Sequence, residues 1–424
     1  MRMIKVGIFG LSRGSSGIMD ILANNGDIVA ICDLNEGRLK RINDMLGGKI
    51  ATYTDFDEFI NHPEMEAILL DNYFHEHAPF AIKALEKNIH VLSECTSNAT
   101  MAQGVALVRA AKKSKAIYML GENFQHRKYN DEIRRVCQEG TLGKVLFAEG
   151  EYNHPLDPTD LAYAKQLHPY AKHWRNFTPA SYYITHSLGP LLYATEATPT
   201  RVTALPVAAP LPEELTTQCL VHSPFKAEKA AIISCLNDDG SVFRVTGCAG
   251  FGAKENSYRI CGIKGQIENI RGTERLLLRY NPWDTPDGMQ TETNYMPERS
   301  PEDAALCKNS GHAGADFFVV RDFFEAIREN KQPFFDVYRA TAMASVAILA
   351  HRSMIEFGTP YDVPDFRREE DLVKYENDHL SPFYGSDGSE PNMPWSAYPS
   401  KWYTEEGIAR YDELASQIVG SEGR

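Results

Sequence analysis

The chain has 424 residues, 43% of them hydrophobic and 24% charged, with a formal net charge of −13. That length exceeds one ordinary core, and the negative charge disfavours nucleic acid and anionic membrane surfaces as partners. No apolar run approaches the roughly 18 residues of a membrane span, and the opening MRMIKVGIFG lacks the features of a signal peptide, so a cytoplasmic protein is expected.

In chain order, IKVGIFG (4–10) reads as a strand ending in glycine, MDILANN as helix, and DIVAICD (27–33) as a second strand ending in an acid. EGRLKRINDMLG, HAPFAIKALEKN and MAQGVALVRAAKKSK have helical spacing; between and after them AILLDN (67–72), HVLSE (90–94) and IYMLGEN (117–123) are strand-like. This alternation predicts a doubly wound parallel sheet of the Rossmann type over residues 1–123, with ligands beyond the carboxyl ends of its strands. From about 143 the rhythm changes. KVLFAEGEYNH, TRVTALPV, KAAIISCLN, SVFRVTGCAG, SYRICGI, GQIENIRG and RLLLRYN follow one another with little helix between. An α+β domain is therefore expected over 124–366, with a large, mostly antiparallel, open-faced sheet and two amphipathic helices at about 314–357 packing back near the first domain. Residues 367–424 are polar, then rich in Pro, Tyr and Trp, and are expected to wrap the surface. A sheet with one uncovered face predicts a homodimer or homotetramer.

The first strand, its glycine turn, the helix and the acid closing the second strand form a dinucleotide fingerprint. Gly10, Ser12, Arg13 and Gly14 would lie against the pyrophosphate, and Asp33 would accept from the adenosine ribose. Ser12 and Ser15 stand where two glycines belong, so the turn alone also reads as structural. Asp33, with no arginine immediately following, favours NAD over NADP. The eight cysteines are scattered with no C-x-x-C pair, which predicts reduced thiols. His154, His168, His173 and His186 lack ligand spacing on a helix, and no metal is expected.

AILLDNYFHEHAPFAIKALEKNIHVLSE resembles the second strand–helix–strand unit of the Gfo/Idh/MocA family, the glucose–fructose oxidoreductase and inositol dehydrogenase-like proteins. The resemblance implies NAD as cofactor, with Asn72, His77, Glu94 and Tyr338 on its side of the site and Glu94 near the nicotinamide ribose. The family's Glu-Lys-Pro is Glu94, Cys95 and Thr96 here, and its aspartate four residues before a histidine is Tyr182 before His186. The usual lysine and aspartate are therefore both missing. GEN (121–123), EGEYNH (149–154), HWR (173–175), YITHSLGP (183–190), GHAGADF (311–317), DVYRA (336–340) and PDF (364–366) resemble, in order, the NAD-dependent glycosidase branch of the α-N-acetylgalactosaminidase type.

That branch implies hydride transfer at a sugar hydroxyl, at C3, as a transient oxidation within glycoside cleavage by elimination and hydration. Such chemistry needs several proton-transfer groups rather than two flanking carboxylates. Glu122, Tyr152, His154, Tyr183 and His186 are the candidates. Each has a plainer reading: Glu122 as a capping carboxylate, Tyr152 and His154 as one packing face of a strand, His186 as a core histidine. Trp174 and Arg175 would face a sugar ring or the nicotinamide, or form a stacked surface pair. A plain NAD-dependent sugar or polyol dehydrogenase and a non-catalytic NAD-binding sensor are the alternatives. The expected partner is a small sugar or glycoside.

Overall fold

The computed structural model describes residues 2–161, 169–398 and 400–419; His168 lies outside them. Strands β1 (Ile4–Phe9), β2 (Gly26–Cys32), β3 (Ala51–Tyr53), β4 (Ala67–Leu70), β5 (His90–Ser93) and β6 (Tyr118–Leu120) form one sheet in the order β3-β2-β1-β4-β5-β6, parallel throughout. The order reverses between β1 and β4, which opens a crevice at the carboxyl edge there. All four residues of β4 are buried, as expected for a parallel strand covered on both faces.

Helices His77–Glu86 and Met101–Lys113 cover one face. The second helix begins in a capping box, in which Thr100 Oγ accepts from the Gln103 N–H at 3.1 Å and the Gln103 side chain accepts from the Thr100 N–H at 3.3 Å. On the other face the helix Ile18–Ala23 is too short to cover the strands alone. A helix from much later in the chain, Ala315–Glu329, completes that layer by packing Val319, Val320, Phe323 and Phe324 with Ile4, Val6 and Ile28. Each buried phenylalanine contributes about 1.5–3 kcal/mol.

The second sheet contains β7 (Val145–Asn153), β8 (Pro199–Ala208), β9 (Glu228–Asn237), β10 (Val242–Ala249), β11 (Glu255–Gly262), β12 (Gly265–Asn269), β13 (Leu276–Tyr280), β14 (Glu292–Tyr295) and β15 (Tyr361–Asp362). Its order is β14-β13-β12-β11-β7-β10-β9-β8-β15, antiparallel except between β7 and β10. Periodicity identified β7 to β13 from the sequence but missed β3, β14 and β15, which have three, four and two residues. On the inner face lies the helix Thr185–Thr195, and two glycines set its depth. A Cβ on Gly150 would meet the Ser187 carbonyl oxygen at 2.0 Å, and one on Gly247 would meet that of Ala180 at 2.2 Å.

The outer face carries an ion-pair ladder, Arg244 to Glu149 at 2.7 Å, Arg259 to Glu149 at 2.5 Å and Arg271 to Glu151 at 2.8 Å, flanked by exposed Leu205, Ile232, Leu236 and Val242. The segment after 367 does more than wrap the surface. It includes helices Glu369–Tyr375 and Glu405–Val419, and it buries Phe383 and Tyr411. The Phe383 ring lies 5.0 Å from His75 and 5.5 Å from Tyr182, and Ser396 donates to the buried Glu228. Aromatic side chains on a polar stretch gain most by docking as anchors.

Candidate active site

At the end of β1, Gly10 adopts φ +89°, and a Cβ there would meet the Asp71 carbonyl oxygen at 2.4 Å, so only glycine lets the turn lie this close to β4. The following Leu11 N–H donates to Asp33 Oδ2 at 2.7 Å. Asp33 also accepts from the Asn35 N–H at 2.8 Å and from Arg38 Nη1 at 3.1 and 3.0 Å. In the sequence no arginine immediately follows Asp33, which favours NAD. Asn35 caps the next helix and places Arg38 against the carboxylate, so an arginine is present in space. Across the crevice, both amide atoms of Asn72 are buried without a hydrogen-bond partner. A tight glycine turn, a carboxylate closing β2 and an unsatisfied amide beside the strand reversal fit a bound dinucleotide.

Arg13 extends from the turn across the edge of the sheet. Its Nε donates to Glu94 Oε1 at 3.0 Å, its Nη2 to Asp316 Oδ2 at 3.3 Å and its Nη1 to Ser16 Oγ at 2.6 Å. Burial would push the Asp316 carboxyl up, but hydrogen bonds from His312 and Asn123 and the Arg13 charge outweigh it and hold it well below the usual range. Asp71 beside them is pushed well up, by burial first and then by the Glu94 charge. Burial also pushes Asp20 up to about 6. These groups line a small cavity of about 40 Å³.

On the other side of Arg13 opens a cavity of about 420 Å³, lined by Tyr152, His154, Trp174, Arg175, Tyr183 and His186 among others. His186 sits in the first turn of the helix Thr185–Thr195, with its Nδ1 3.0 Å from both oxygens of Glu122. Glu122 follows β6, is 0% exposed and also accepts from the Phe124 N–H at 2.8 Å. Glu122 thus contacts His186 from the buried side and does not line the cavity. Gly189 makes room for it, since a Cβ there would meet Glu122 Cγ at 2.7 Å. With Nδ1–H donated to the carboxylate, His186 keeps its lone pair on Nε2, which lies 3.4 Å from the Tyr183 hydroxyl. Phe124 (ring centroids 4.2 Å apart) and Tyr152 (4.9 Å) brace the imidazole.

Burial pushes the Tyr183 phenol up, with Arg175 opposing, so Tyr183 is a proton donor rather than a base. Burial and then the Lys254 charge push His154 down and keep it neutral. Cys95 Sγ is 3.7 Å from Glu122 Oε2, and its thiol is pushed well up by burial, so no reactive thiolate arises there. Tyr182, at the family's aspartate position, points away and donates to the Ala99 carbonyl at 3.2 Å.

The fold thus brings together Arg13, Tyr152, His154, Trp174, Arg175, Tyr183 and His186 at one cavity, with Gly10, Gly14, Asp33, Asn72 and Glu94 along the neighbouring sheet edge. Ser12 is exposed on the turn between them. Trp174 stacks on Phe74 at 5.2 Å and carries Arg175 4.3 Å from its ring, which unites the two readings of that pair. Two expected cofactor residues turn elsewhere. His77 is buried with Nδ1 2.8 Å from the Thr96 carbonyl and Nε2 3.3 Å from that of Asn72, so it holds backbone. Tyr338 lies beneath Arg367, 4.5 Å from its guanidinium, and lines neither cavity. The sequence reading missed Asn123, His312 and Asp316 as site residues, although GEN and GHAGADF contain them, and it missed Lys226 and Lys229, which resemble an ordinary strand start. Among the described residues no group of three or more His, Cys, Asp or Glu is placed to hold a metal.

Residues 4–122 match the oxidoreductase family with an NAD-binding Rossmann fold, Gfo/Idh/MocA, and residues 258–372 match the glycosyl hydrolase 109 C-terminal domain. The α-N-acetylgalactosaminidase of Tannerella forsythia is 23% identical over 422 residues, covering 86% of this chain and 86% of its own. A glycosyl hydrolase family 109 protein of Saccharopolyspora erythraea is 24% identical over 393 residues, covering 86% of this chain and 83% of its own. A levoglucosan dehydrogenase solved with NADH and L-sorbose superposes with a TM-score of 0.70 at 16% identity, over 86% of this chain and all (100%) of that one. The chain is an enzyme of the Gfo/Idh/MocA oxidoreductase type, with an NAD-binding Rossmann domain followed by a glycosyl hydrolase 109 C-terminal domain.

Proposed function

We propose that the protein cleaves a small glycoside by transient oxidation of a sugar hydroxyl, at C3, with no net redox change. The observation that carries this reading is the Glu122–His186 dyad, whose Nε2 meets the Tyr183 hydroxyl at the cavity while a cysteine fills the family's lysine position. NAD held along the first-sheet edge by the Gly10 turn, Asp33, Asn72 and Glu94 would supply a hydride acceptor for the carbinol hydrogen and a donor for the final reduction. His186 Nε2 takes the hydroxyl proton, and the buried Glu122 carboxylate stabilises the imidazolium that results. The resulting ketone acidifies the neighbouring C2–H. Its loss expels the aglycone oxygen and leaves an enone, to which water adds before the ketone is reduced. Tyr183, protonated and 3.4 Å from Nε2, relays the hydroxyl proton, giving its own to Nε2 as it takes the one from the sugar hydroxyl. Tyr152 and the neutral His154, with ring centroids 5.5 Å apart, handle the C2 and leaving-group protons.

The test is a panel of nitrophenyl glycosides with and without added NAD. Nitrophenol release that depends on NAD without accumulating NADH is expected. Stoichiometric NADH from free sugars, with no nitrophenol, would favour the plain dehydrogenase, which needs the same dyad but no second proton pair. Substituting lysine at Cys95 separates the two further, because a large gain in net dehydrogenase activity would displace the glycosidase reading.

The outer sheet face, with Leu205, Ile232, Leu236 and Val242 beside a charged ladder, supports association with a second copy. A monomer by light scattering at micromolar concentration would count against this. All eight cysteines are free, which supports a reducing compartment such as the cytoplasm. Among the described residues no helix is long and apolar enough to cross a membrane.

A further inference from the structure

The wall of the 420 Å³ cavity beyond Tyr183 is cationic, in a chain whose net charge is −13. Arg175, Lys226 and Lys229 all line it, and the three are close enough for Arg175 and Lys229 both to repel Lys226. The lining includes one carboxylate, Glu228. It is only 3% exposed, its Oε1 accepts from the Ala180 N–H and its Oε2 from the Ser396 hydroxyl, so it is committed to holding backbone and the C-terminal segment. Lys226 donates to the Thr178 carbonyl and makes no ion pair among the described residues, and neither does Lys229. Both lysines are half-buried, and removing water from an ammonium group with no anion in direct contact is costly. Burial pushes Lys226 down to about 8, with the Glu228 charge opposing and Lys229 and Arg175 adding to the fall, and burial pushes Lys229 down as well.

We infer that the substrate carries an anionic substituent, a carboxylate, sulfate or phosphate, seated between Lys226, Lys229 and Arg175. This rests on the glycoside reading above and specifies its substrate class. Arg175, Lys226 and Lys229 line the same cavity as Tyr183 and His186, so the anion belongs on the sugar ring that undergoes oxidation or on its immediate neighbour. The volume falls in the range of about 300–1,000 Å³ usual for small-molecule sites.

Matched pairs test it: nitrophenyl glucoside against glucuronide, galactoside against galacturonide, and the 6-sulfate and 6-phosphate of each neutral sugar. Within at least one series the anionic member should have a kcat/KM about ten- to a hundredfold higher, as expected for a hydrogen bond to a charged group. The member that prevails identifies which anion is used. Lys226→Met and Lys229→Gln should each reduce the anionic-to-neutral ratio about tenfold, mainly through KM, and added salt should reduce it too. In parallel, calorimetry in the presence of NAD should show methyl glucuronide, methyl galacturonide or a sugar 6-sulfate or 6-phosphate binding more tightly than its neutral parent. Anion-selective binding without cleavage would overturn the glycosidase reading and leave this inference standing. Equal or better binding of the neutral sugars in both series, no binding of any anionic sugar, or a ratio indifferent to both lysine substitutions would overturn the inference.

Discussion

Arg13 separates two cavities of opposite character. On the first-sheet side, Asp20, Asp71, Glu94 and Asp316 surround about 40 Å³. On the second-sheet side, aromatic rings, histidines and lysines surround about 420 Å³. The small side gathers carboxylates around Arg13, complementary to hydroxyl groups and positive charge. The large side is lined by cations, phenols and imidazoles. In the function proposed above, cofactor recognition and substrate chemistry divide between the two sheets, and His186 with Glu122 joins them, because Glu122 follows a strand of the first sheet and His186 packs on the second.

The severest way to break that division is to remove the joint. His186→Ala should lower turnover by about 10²–10⁴-fold, with NAD affinity by calorimetry changing less than about twofold, since no nucleotide-edge group touches this imidazole. Glu122→Gln should follow, with a smaller loss and the same unchanged NAD affinity. A parallel loss of NAD binding would mean that the two cavities are not separable. Tyr183→Phe should cost about a hundredfold, because its protonated hydroxyl is lost while the ring remains.

Next come the close approaches that set depth. Gly150→Ala, with a Cβ aimed at the Ser187 carbonyl, should destabilise by about 1–3 kcal/mol in urea unfolding and lower turnover more than NAD binding. A neutral effect on both would show that the helix carrying His186 shifts freely over the sheet.

Between the regions, just past Asn123, lies His126. Burial favours its neutral form, but Asp322 and Asp131 outweigh that and raise it from 6.5 to about 9. A raised folded-state value stabilises fully below about 6.5, and the contribution is lost as pH rises towards 9. Discounted for the half-exposed aspartates, it is worth about 1–2 kcal/mol. His126→Gln should flatten the fall in stability between these pH values.

The smallest effects concern the nucleotide edge. Asp33→Ala should narrow the preference for NAD over NADP. Arg38→Ala should sharpen it about threefold to tenfold, because the uncovered carboxylate repels a 2′-phosphate more strongly. Competitive binding of the two cofactors measures both; an unchanged ratio in Asp33→Ala would place this carboxylate away from the ribose.

Local pattern made the architecture readable. Strand–helix alternation fixed the first sheet, and alternating strands with glycine turns fixed most of the second. Edge strands of two to four residues escaped because so short a stretch has no period. The dyad was half legible. Glu122 and His186 were both candidates, but their contact spans sixty-four residues and depends on Gly189 being small, which no linear spacing encodes. His77 and Tyr338 face the Thr96 carbonyl and Arg367, because a motif position specifies a backbone place, whereas side-chain direction is decided by whichever partner is nearer. Lys226 and Lys229 looked like the polar start of a strand, and only the cavity shows that they face inward.

The anchoring of the late segment has a consequence for biosynthesis. Phe383 packs against Tyr182, and Ser396 fixes Glu228, whose other oxygen holds the backbone at Ala180, six residues before His186. These anchors emerge from the ribosome after everything they secure, and domains form from the N-terminus onward during synthesis. The nucleotide fold, which borrows Ala315–Glu329, and then the floor beneath the imidazole are completed in that order. A nascent chain stalled before residue 383 would thus have every element of its first sheet while lacking the anchors beneath the imidazole.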